Sequence, residues 1–305
     1  MSATAALPPS GGKVSVHTLQ SKKTRGEPIT FLTAYDYPTA VALDRAGIDG
    51  ILVGDSVGMV VLGYENTLAV TMQDMLHHCR AVARGVSRAH LVGDMPFMSY
   101  QVSASEALRH AGSFLQKGGM DAVKLEGGRD RVPAIKAIVS AGIPVMGHLG
   151  LTPQSVHQLG GWRIQAKSPE SARKLIEDAL IVEDAGCYAL VVEAVPAEVT
   201  QLISKRLAIP VIGIGAGSGC DGQVLVTHDL LGLFDRFTPS FVKKYADLYP
   251  EMERAFRQYI ADVKDRKFPA PEHAHKMDSQ AYRDLMHEID RLEAEIERDD
   301  NIQFH

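Results

Sequence analysis

The sequence predicts an α/β protein: a (β/α)8 TIM barrel with an N-terminal helical segment and an added C-terminal amphipathic helix. Three observations lead there. Short apolar runs alternate with amphipathic stretches along nearly all of the 305 residues, and repeated βα units with short connections imply a parallel sheet covered by helices. The stretch from Val14 to His275 is close to the roughly 250 residues typical of one barrel. Finally, the first run ends Thr33-Ala34-Tyr35-Asp36, without the glycine loop that an open, doubly wound nucleotide-binding sheet places after its first strand.

Seven strands are read directly: Ile29–Ala34, Gly50–Asp55, His90–Asp94, Ala122–Glu126, Pro144–His148, Ala189–Glu193 and Pro210–Gly215. The expected helices between them cover Pro38–Ala46, Met72–Gly85, Ala104–Lys117, Val132–Ala141, Ser168–Ala185 and Ala197–Leu207. Gly47, Gly118, Gly142 and Gly186 follow helix ends, where a left-handed residue is needed. Thr71, Ser103 and Ser168 stand where side-chain caps belong. The eighth strand is placed at Phe241–Tyr245, followed by a helix over Met252–Lys264, and the segment 224–233 reads equally as helix or strand.

Three parts follow: a flexible start over residues 1–13, the barrel over 14–275, and an extension over 276–305. In the extension Ala281, Leu285, Ile289, Leu292 and Ile296 recur at helical spacing among many charges. Its excess of acid argues against a membrane surface. Lys13, Lys22, Lys23 and Arg25, in the acid-free stretch before Glu27, read as a solvated basic segment. A net charge of -5 is no footprint for nucleic acid, which needs clustered Lys and Arg. No apolar run reaches the length of a membrane span. Three scattered cysteines, Cys79, Cys187 and Cys220, fit a reducing, cytoplasmic setting.

Ligands of such barrels bind at the carboxyl ends of the strands, and charged groups gather there. Strand two ends in Asp55 and Ser56, strand three in Asp94, strand four in Lys124-Leu125-Glu126, strand five in His148 and strand six in Glu193. Lys124 and Glu126 share a face, because strand side chains alternate. Asp55, Asp94 and Glu126 at one mouth suit a hard cation held by oxygen, such as Mg²⁺. Lys124 then offers a partner for an anionic substrate; the plain alternative is a salt-bridge network among these same residues. His148 is expected at the substrate wall. Glu193 follows an entirely apolar run, and desolvation suits a carboxyl to general-base work, although an acid there also caps the helix near Pro196. Gly215 and Gly217 after strand seven form a glycine loop of the kind that cradles a phosphate or lets a bulky ligand lie on backbone. A metal, an anion-binding Lys and a desolvated acid make a kit for abstracting a proton beside a carbonyl, with the metal polarising a 2-oxo acid.

Six stretches, in order, carry a resemblance: Thr33-Ala34-Tyr35-Asp36-Tyr37, Val53-Gly54-Asp55-Ser56-Val57-Gly58-Met59, Asp94-Met95-Pro96-Phe97, Lys124-Leu125-Glu126-Gly127-Gly128, Gly147-His148-Leu149-Gly150-Leu151-Thr152-Pro153-Gln154-Ser155 and Ile212-Gly213-Ile214-Gly215-Ala216-Gly217. The chain resembles the ketopantoate (3-methyl-2-oxobutanoate) hydroxymethyltransferases, of the phosphoenolpyruvate/pyruvate type of barrel. The resemblance implies transfer of a one-carbon unit from 5,10-methylenetetrahydrofolate to 3-methyl-2-oxobutanoate, giving 2-dehydropantoate for pantothenate synthesis. It implies Asp55, Asp94 and Glu126 at the metal and Asp55, Ser56, Asp94 and Lys124 at the oxo acid. It further implies Glu193 as proton acceptor, the glycine loop at the folate end of the cleft, and a homo-oligomer, typically a decamer. The family commonly ends near Glu272-His273, so the residues that follow are additional. The rival enzyme is a carbon–carbon lyase or mutase on the same barrel, whose lyase branch carries a Lys-Lys-Cys-Gly-His type of loop absent here. The rival of another class, a barrel kept as a binding module, is opposed by the presence of all the acids and Lys124.

Overall fold

The computed structural model describes residues 12–302. Of the expected flexible start, residues 1–11 lie outside the described residues. Eight parallel strands close into one barrel in chain order. They are β1 (Ile29–Thr33), β2 (Gly50–Val53), β3 (His90–Asp94), β4 (Ala122–Glu126), β5 (Val145–Gly150), β6 (Ala189–Glu193), β7 (Val211–Ile214) and β8 (Gly222–Leu225). The helices are α1 (Val16–Arg25), α2 (Tyr37–Ala46), α3 (Val57–Val60), α4 (Met72–Gly85), α5 (Ala104–Gln116), α6 (Val132–Ser140), α7 (Pro169–Asp184), α8 (Ala197–Arg206), α9 (Thr227–Leu230), α10 (Leu248–Lys264) and α11 (Ser279–Ile302).

The eighth strand corrects the expectation. Gly222–Leu225 pairs with β1, Ile29 against Gly222 through Leu32 against Leu225, and closes the barrel. Residues 241–245 form no regular structure. No helix separates β7 from β8, so residues 215–221 alone return the chain to the start of the next parallel strand.

Two apolar clusters follow from strand alternation. Ile51, Val53, Leu91, Val123, Leu125, Leu190 and Val192 face outward and pack with Met75, Phe114, Ile135 and Ile138 of the helices. Leu52, Val92, Ala122, Met146, Val191 and Ile212 fill the interior. Burying a side chain of this kind stabilises the fold by about 1.5–3 kcal/mol.

The basic segment near the start is ordered and paired, which corrects the solvated reading. Ser15 caps α1 in a capping box with Thr18, and Gly26 ends it at φ 69°. Val14 and Leu19 join the interior cluster. Lys22 meets Asp49 at 2.7 Å, Lys23 meets Asp221 at 2.8 Å and Lys13 meets Asp121 at 2.7 Å. These acids stand at the amino ends of the strands, so α1 is fastened beneath the barrel, at the face away from the site.

By internal contacts the chain divides into one unit through Leu248 and a second from Tyr249 onward. The boundary expected at 275/276 falls inside the second unit. There α11 leaves Leu285, Ile289, Leu292 and Ile296 exposed. Among the described residues no helix is long and apolar enough to cross a membrane.

Candidate active site

Period-two alternation aims the charged groups inward at the carboxyl ends of the strands. On β4, Ala122, Lys124 and Glu126 share the face opposite Val123 and Leu125. Register then aligns the neighbours: Asp94 lies beside Lys124, Glu126 beside His148, and Glu193 beside Gly150 and Ile214. Asp55 and Ser56 follow β2, and Ser56 opens the short α3. All seven of these groups line one cavity of about 360 Å³.

The site is tightly linked. Lys124 Nζ lies 2.8 Å from Asp94 Oδ1 and 3.9 Å from Glu126 Oε1. The Asp55 amide donates to Asp94 Oδ2 at 3.1 Å. The Ser56 and Tyr35 hydroxyls are 2.8 Å apart. His148 Nε2 stands 3.3 Å from Glu193 Oε2, and its Nδ1 is 3.6 Å from Glu126 Oε1. Asp94, Lys124, Glu126 and His148 are almost fully buried, whereas the Glu193 side chain is 14% exposed and faces the open space. A histidine thus stands beside it, although the run before it in sequence is wholly apolar.

Charge crowding shows in the proton affinities. Burial, then Asp94 and Glu126, push the Asp55 carboxyl well above the usual range. Asp94 is pushed up by burial and by Glu126, against Lys124. Burial pulls Lys124 down, but Asp94, Glu126 and Asp55 outweigh it and hold the ammonium charged. Burial also raises Glu126, and the neighbouring His148 ring with the charge of Lys124 brings it below its ordinary value. Burial and Lys124, 3.2 Å from Nδ1, pull His148 down; Glu126 and Glu193 prevail and push it up to about 9.

Two residues act as struts. The Gln154 amide donates to Asp55 Oδ2 and to the Met95 carbonyl, both at 2.9 Å. Its carbonyl accepts from the Tyr100 hydroxyl at 2.6 Å, and its backbone N–H donates to Glu126 Oε2 at 3.0 Å. Tyr100 in turn accepts from the Glu126 amide at 3.1 Å. One side chain thus ties the loops after β3 and β5 to the acid that follows β2. Gln154 and Tyr35 lie within the stretches that carry the resemblance, yet only the hydrogen bonds reveal their work. Tyr100 had no sequence signal beyond its place soon after a strand end.

A hard cation suits this donor set. Glu126 Oε1 is buried without a hydrogen bond, and Asp55, Asp94 and Glu126 face the single fixed ammonium of Lys124. Among the described residues, however, no three His, Cys, Asp or Glu side chains are drawn together around one point. One or two carboxylates with retained waters is the usual way of holding Mg²⁺, and that arrangement is compatible with the spread of these acids.

Gly215 and Gly217 do not line the cavity. A Cβ on Gly215 would stand 2.6 Å from the Phe241 ring, and one on Gly217 would stand 2.4 Å from Ala197 Cβ. Their φ values are 59° and 79°. With no helix between β7 and β8, this loop runs close against α8 and under Phe241. Close packing and left-handed backbone thus account for both glycines, and neither lines the cavity.

A family model described as ketopantoate hydroxymethyltransferase matches residues 13–271. The chain belongs to the ketopantoate hydroxymethyltransferase family. It is 56% identical over 264 residues to the 3-methyl-2-oxobutanoate hydroxymethyltransferase of Syntrophus aciditrophicus, covering 87% of this chain and 97% of that protein. Identity to the Enterococcus faecalis protein of the same name is 56% over 260 residues, covering 85% and 94%. In structure, the chain is similar to phosphoenolpyruvate phosphomutase from Streptomyces platensis subsp. rosaceus, with a TM-score of 0.57, 16% identity and coverage of 93% and 99%. A phosphonopyruvate hydrolase in complex with oxalate and Mg²⁺ gives 0.57 at 13% identity, covering 92% and 98%. At such identity these two share the fold. The ketopantoate hydroxymethyltransferase match spans the whole barrel and stops before α11, so the chain is a transferase carrying an additional helix.

Proposed function

We propose that this protein transfers a one-carbon unit from 5,10-methylenetetrahydrofolate to 3-methyl-2-oxobutanoate, with water supplying the hydroxyl oxygen. The products are 2-dehydropantoate and tetrahydrofolate, on the route to pantothenate. The observation that carries this reading is the meeting of a buried ammonium, an acid cluster and a His–Glu pair in one cavity.

Lys124 and Ser56 bind the oxo acid as an anion, and Asp55 and Asp94 fix its reacting end. Glu193, the most exposed of these acids and open to the cavity, takes the proton from C3. His148, 3.3 Å from Glu193, orients that carboxylate and balances its charge. Water adds to the donor's methylene carbon and its two bonds to nitrogen break, which leaves tetrahydrofolate and a carbonyl at the formaldehyde level. The carbon left electron-rich attacks that carbonyl, its π pair passes to the oxygen, and the proton held by Glu193 completes the hydroxyl. Asp55 and Asp94, supported by Glu126, would hold a divalent cation, Mg²⁺ by preference. When bound, that cation supplies Lewis-acid polarisation of the 2-oxo group. A cytoplasmic, homo-oligomeric enzyme, a decamer as the family resemblance implies, belongs to the same reading.

The test is deuterium exchange. Protein, Mg²⁺ and 3-methyl-2-oxobutanoate in deuterated water should exchange the C3 proton, and adding the folate donor should yield 2-dehydropantoate. Glu193→Gln should lose exchange by at least about a hundredfold, the lower end of general-base contributions. Undiminished exchange in that variant removes Glu193 from its role.

A further inference from the structure

The cavity has two tiers. Its floor is the charged set described above. Its upper wall is apolar and includes Trp162, Phe234, Phe237 and Phe241. Phe234 and Phe237 meet edge to face at 5.4 Å and 80°. Trp162 and Phe237 are 48% and 47% exposed, far more than the residues of the floor. Large aromatic faces turned to open space favour a flat ring.

Asp229 in α9 is the acid of this wall, and the chemistry of the floor does not use it. It is 8% exposed and lines the cavity. Among the described residues its carboxylate receives no hydrogen bond and meets no cation. Burial alone pushes it up to about 6. Its position is fixed: the Thr227 amide donates to Thr33 Oγ1 at 3.0 Å, and the Thr227 hydroxyl donates to the Thr33 carbonyl. A buried carboxylate left without a donor is costly, and it turns into the open space.

A carboxylate presents two oxygens that accept two parallel N–H groups. The matching ligand is therefore a flat heteroaromatic ring with adjacent N–H donors on one edge. A branched 2-oxo acid has neither feature and fills only part of the cavity. We propose that Asp229 receives the 2-amino-pyrimidinone edge of the one-carbon donor's pteridine ring, which lies against Trp162, Phe234 and Phe237. This rests on the hydroxymethyltransferase reading above, and it moves the donor's end of the cleft from the glycine loop to the segment after β8. Arg163, also on the cavity wall, makes no ion pair among the described residues and suits the acidic tail of such a donor.

Trp162 is the only tryptophan of the chain and reports occupancy of this wall by its fluorescence. Tetrahydrofolate should quench it in the parent protein, and 2-desamino-tetrahydrofolate should bind roughly ten- to a hundredfold more weakly, the loss of one charged hydrogen bond. Asp229→Asn and Asp229→Ala should weaken tetrahydrofolate binding by the same factor and abolish the difference between the two ligands. Both variants should keep the rise in melting temperature that 3-methyl-2-oxobutanoate with Mg²⁺ gives the parent. Tetrahydrofolate binding unchanged in the variants overturns the proposal. So does a parent that treats the two ligands alike, or a variant that loses the oxo-acid response as well. If the parent makes 2-dehydropantoate while the variants bind tetrahydrofolate normally, the subsite fails and the function stands. If the parent discriminates the ligands through Asp229 but makes no 2-dehydropantoate, the subsite stands and the function fails.

Discussion

Replacing Gln154 by alanine isolates the strut beneath the acid cluster. Gln154 is 5% exposed, and its loss leaves Asp55 Oδ2 and the Met95 carbonyl without their donor and the Tyr100 hydroxyl without its acceptor. Leaving a buried polar group unpaired costs about 1–3 kcal/mol, with charged groups at the upper end. The cavity borders Asp55 and admits water, which lowers that cost, so about 1 kcal/mol for each of the three is the working figure. The expected destabilisation is about 3 kcal/mol, read as a shift of the urea midpoint at constant protein concentration. Asp55 also loses the donor that orients it. Removing such an outer partner typically weakens metal binding by roughly ten- to a hundredfold, which calorimetry with Mg²⁺ or Mn²⁺ measures directly. Gln154→Glu keeps the shape and the acceptor for Tyr100 but sets oxygen against Asp55 Oδ2, so it should not restore binding. A Gln154→Ala protein within about 0.5 kcal/mol of the parent, binding metal equally well, would refute the reasoning.

Three further outcomes follow from other parts of the molecule. His90, buried beneath the barrel and 2.9 Å from the Tyr188 hydroxyl, is pushed down to about 4, chiefly by burial and further by Lys13, against Asp121. Because the unfolded chain binds that proton near 6.5, stability should be full above about pH 6.5 and fall by about 3 kcal/mol on the way to pH 4. His90→Gln should flatten that slope in urea midpoints taken across this window. The fall at still lower pH should remain, since Asp44 is held below its ordinary value by the Ser87, Ala89 and Arg88 amides despite its burial. Gly217→Val should cost about 2–4 kcal/mol by clash with Ala197 and strain at positive φ, leaving the KM for 3-methyl-2-oxobutanoate unchanged; a raised KM with normal stability would return the loop to ligand binding. Truncation after His275 should change the assembly seen by light scattering, because α11 exposes Leu285, Ile289, Leu292 and Ile296, and an unaltered mass would remove α11 from any subunit contact.

How far the sequence carries depends on whether a residue's work has a period. Lys124 and Glu126 were legible as a pair because strand side chains alternate, and register alone then brings Asp94 and His148 beside them. Strands one to seven were legible for the same reason, as apolar runs between capped helices. β8 was not, because it is four residues long, exposes Gln223 and follows β7 without a helix. The stronger apolar run at 241–245 drew the assignment away, although Phe241 belongs to the roof above Gly215. That displacement hid more than a strand: with β8 at Gly222–Leu225, Asp229 stands just past a strand end, at the face where every other acid of the site was sought. Gln154 and Tyr100 escaped for a different reason. Their bonds join positions 54 residues apart in sequence, and no local pattern encodes such a link. The physical consequence is an asymmetry between two halves of one cavity. The floor, aimed by strands, follows from alternation; the wall, built from Trp162, Phe234, Phe237 and Asp229 in the segments after strands, follows only from closure of the barrel. A substitution in the floor should therefore disturb the oxo acid and the proton transfer, while one in the wall should disturb the second ligand and leave the first in place.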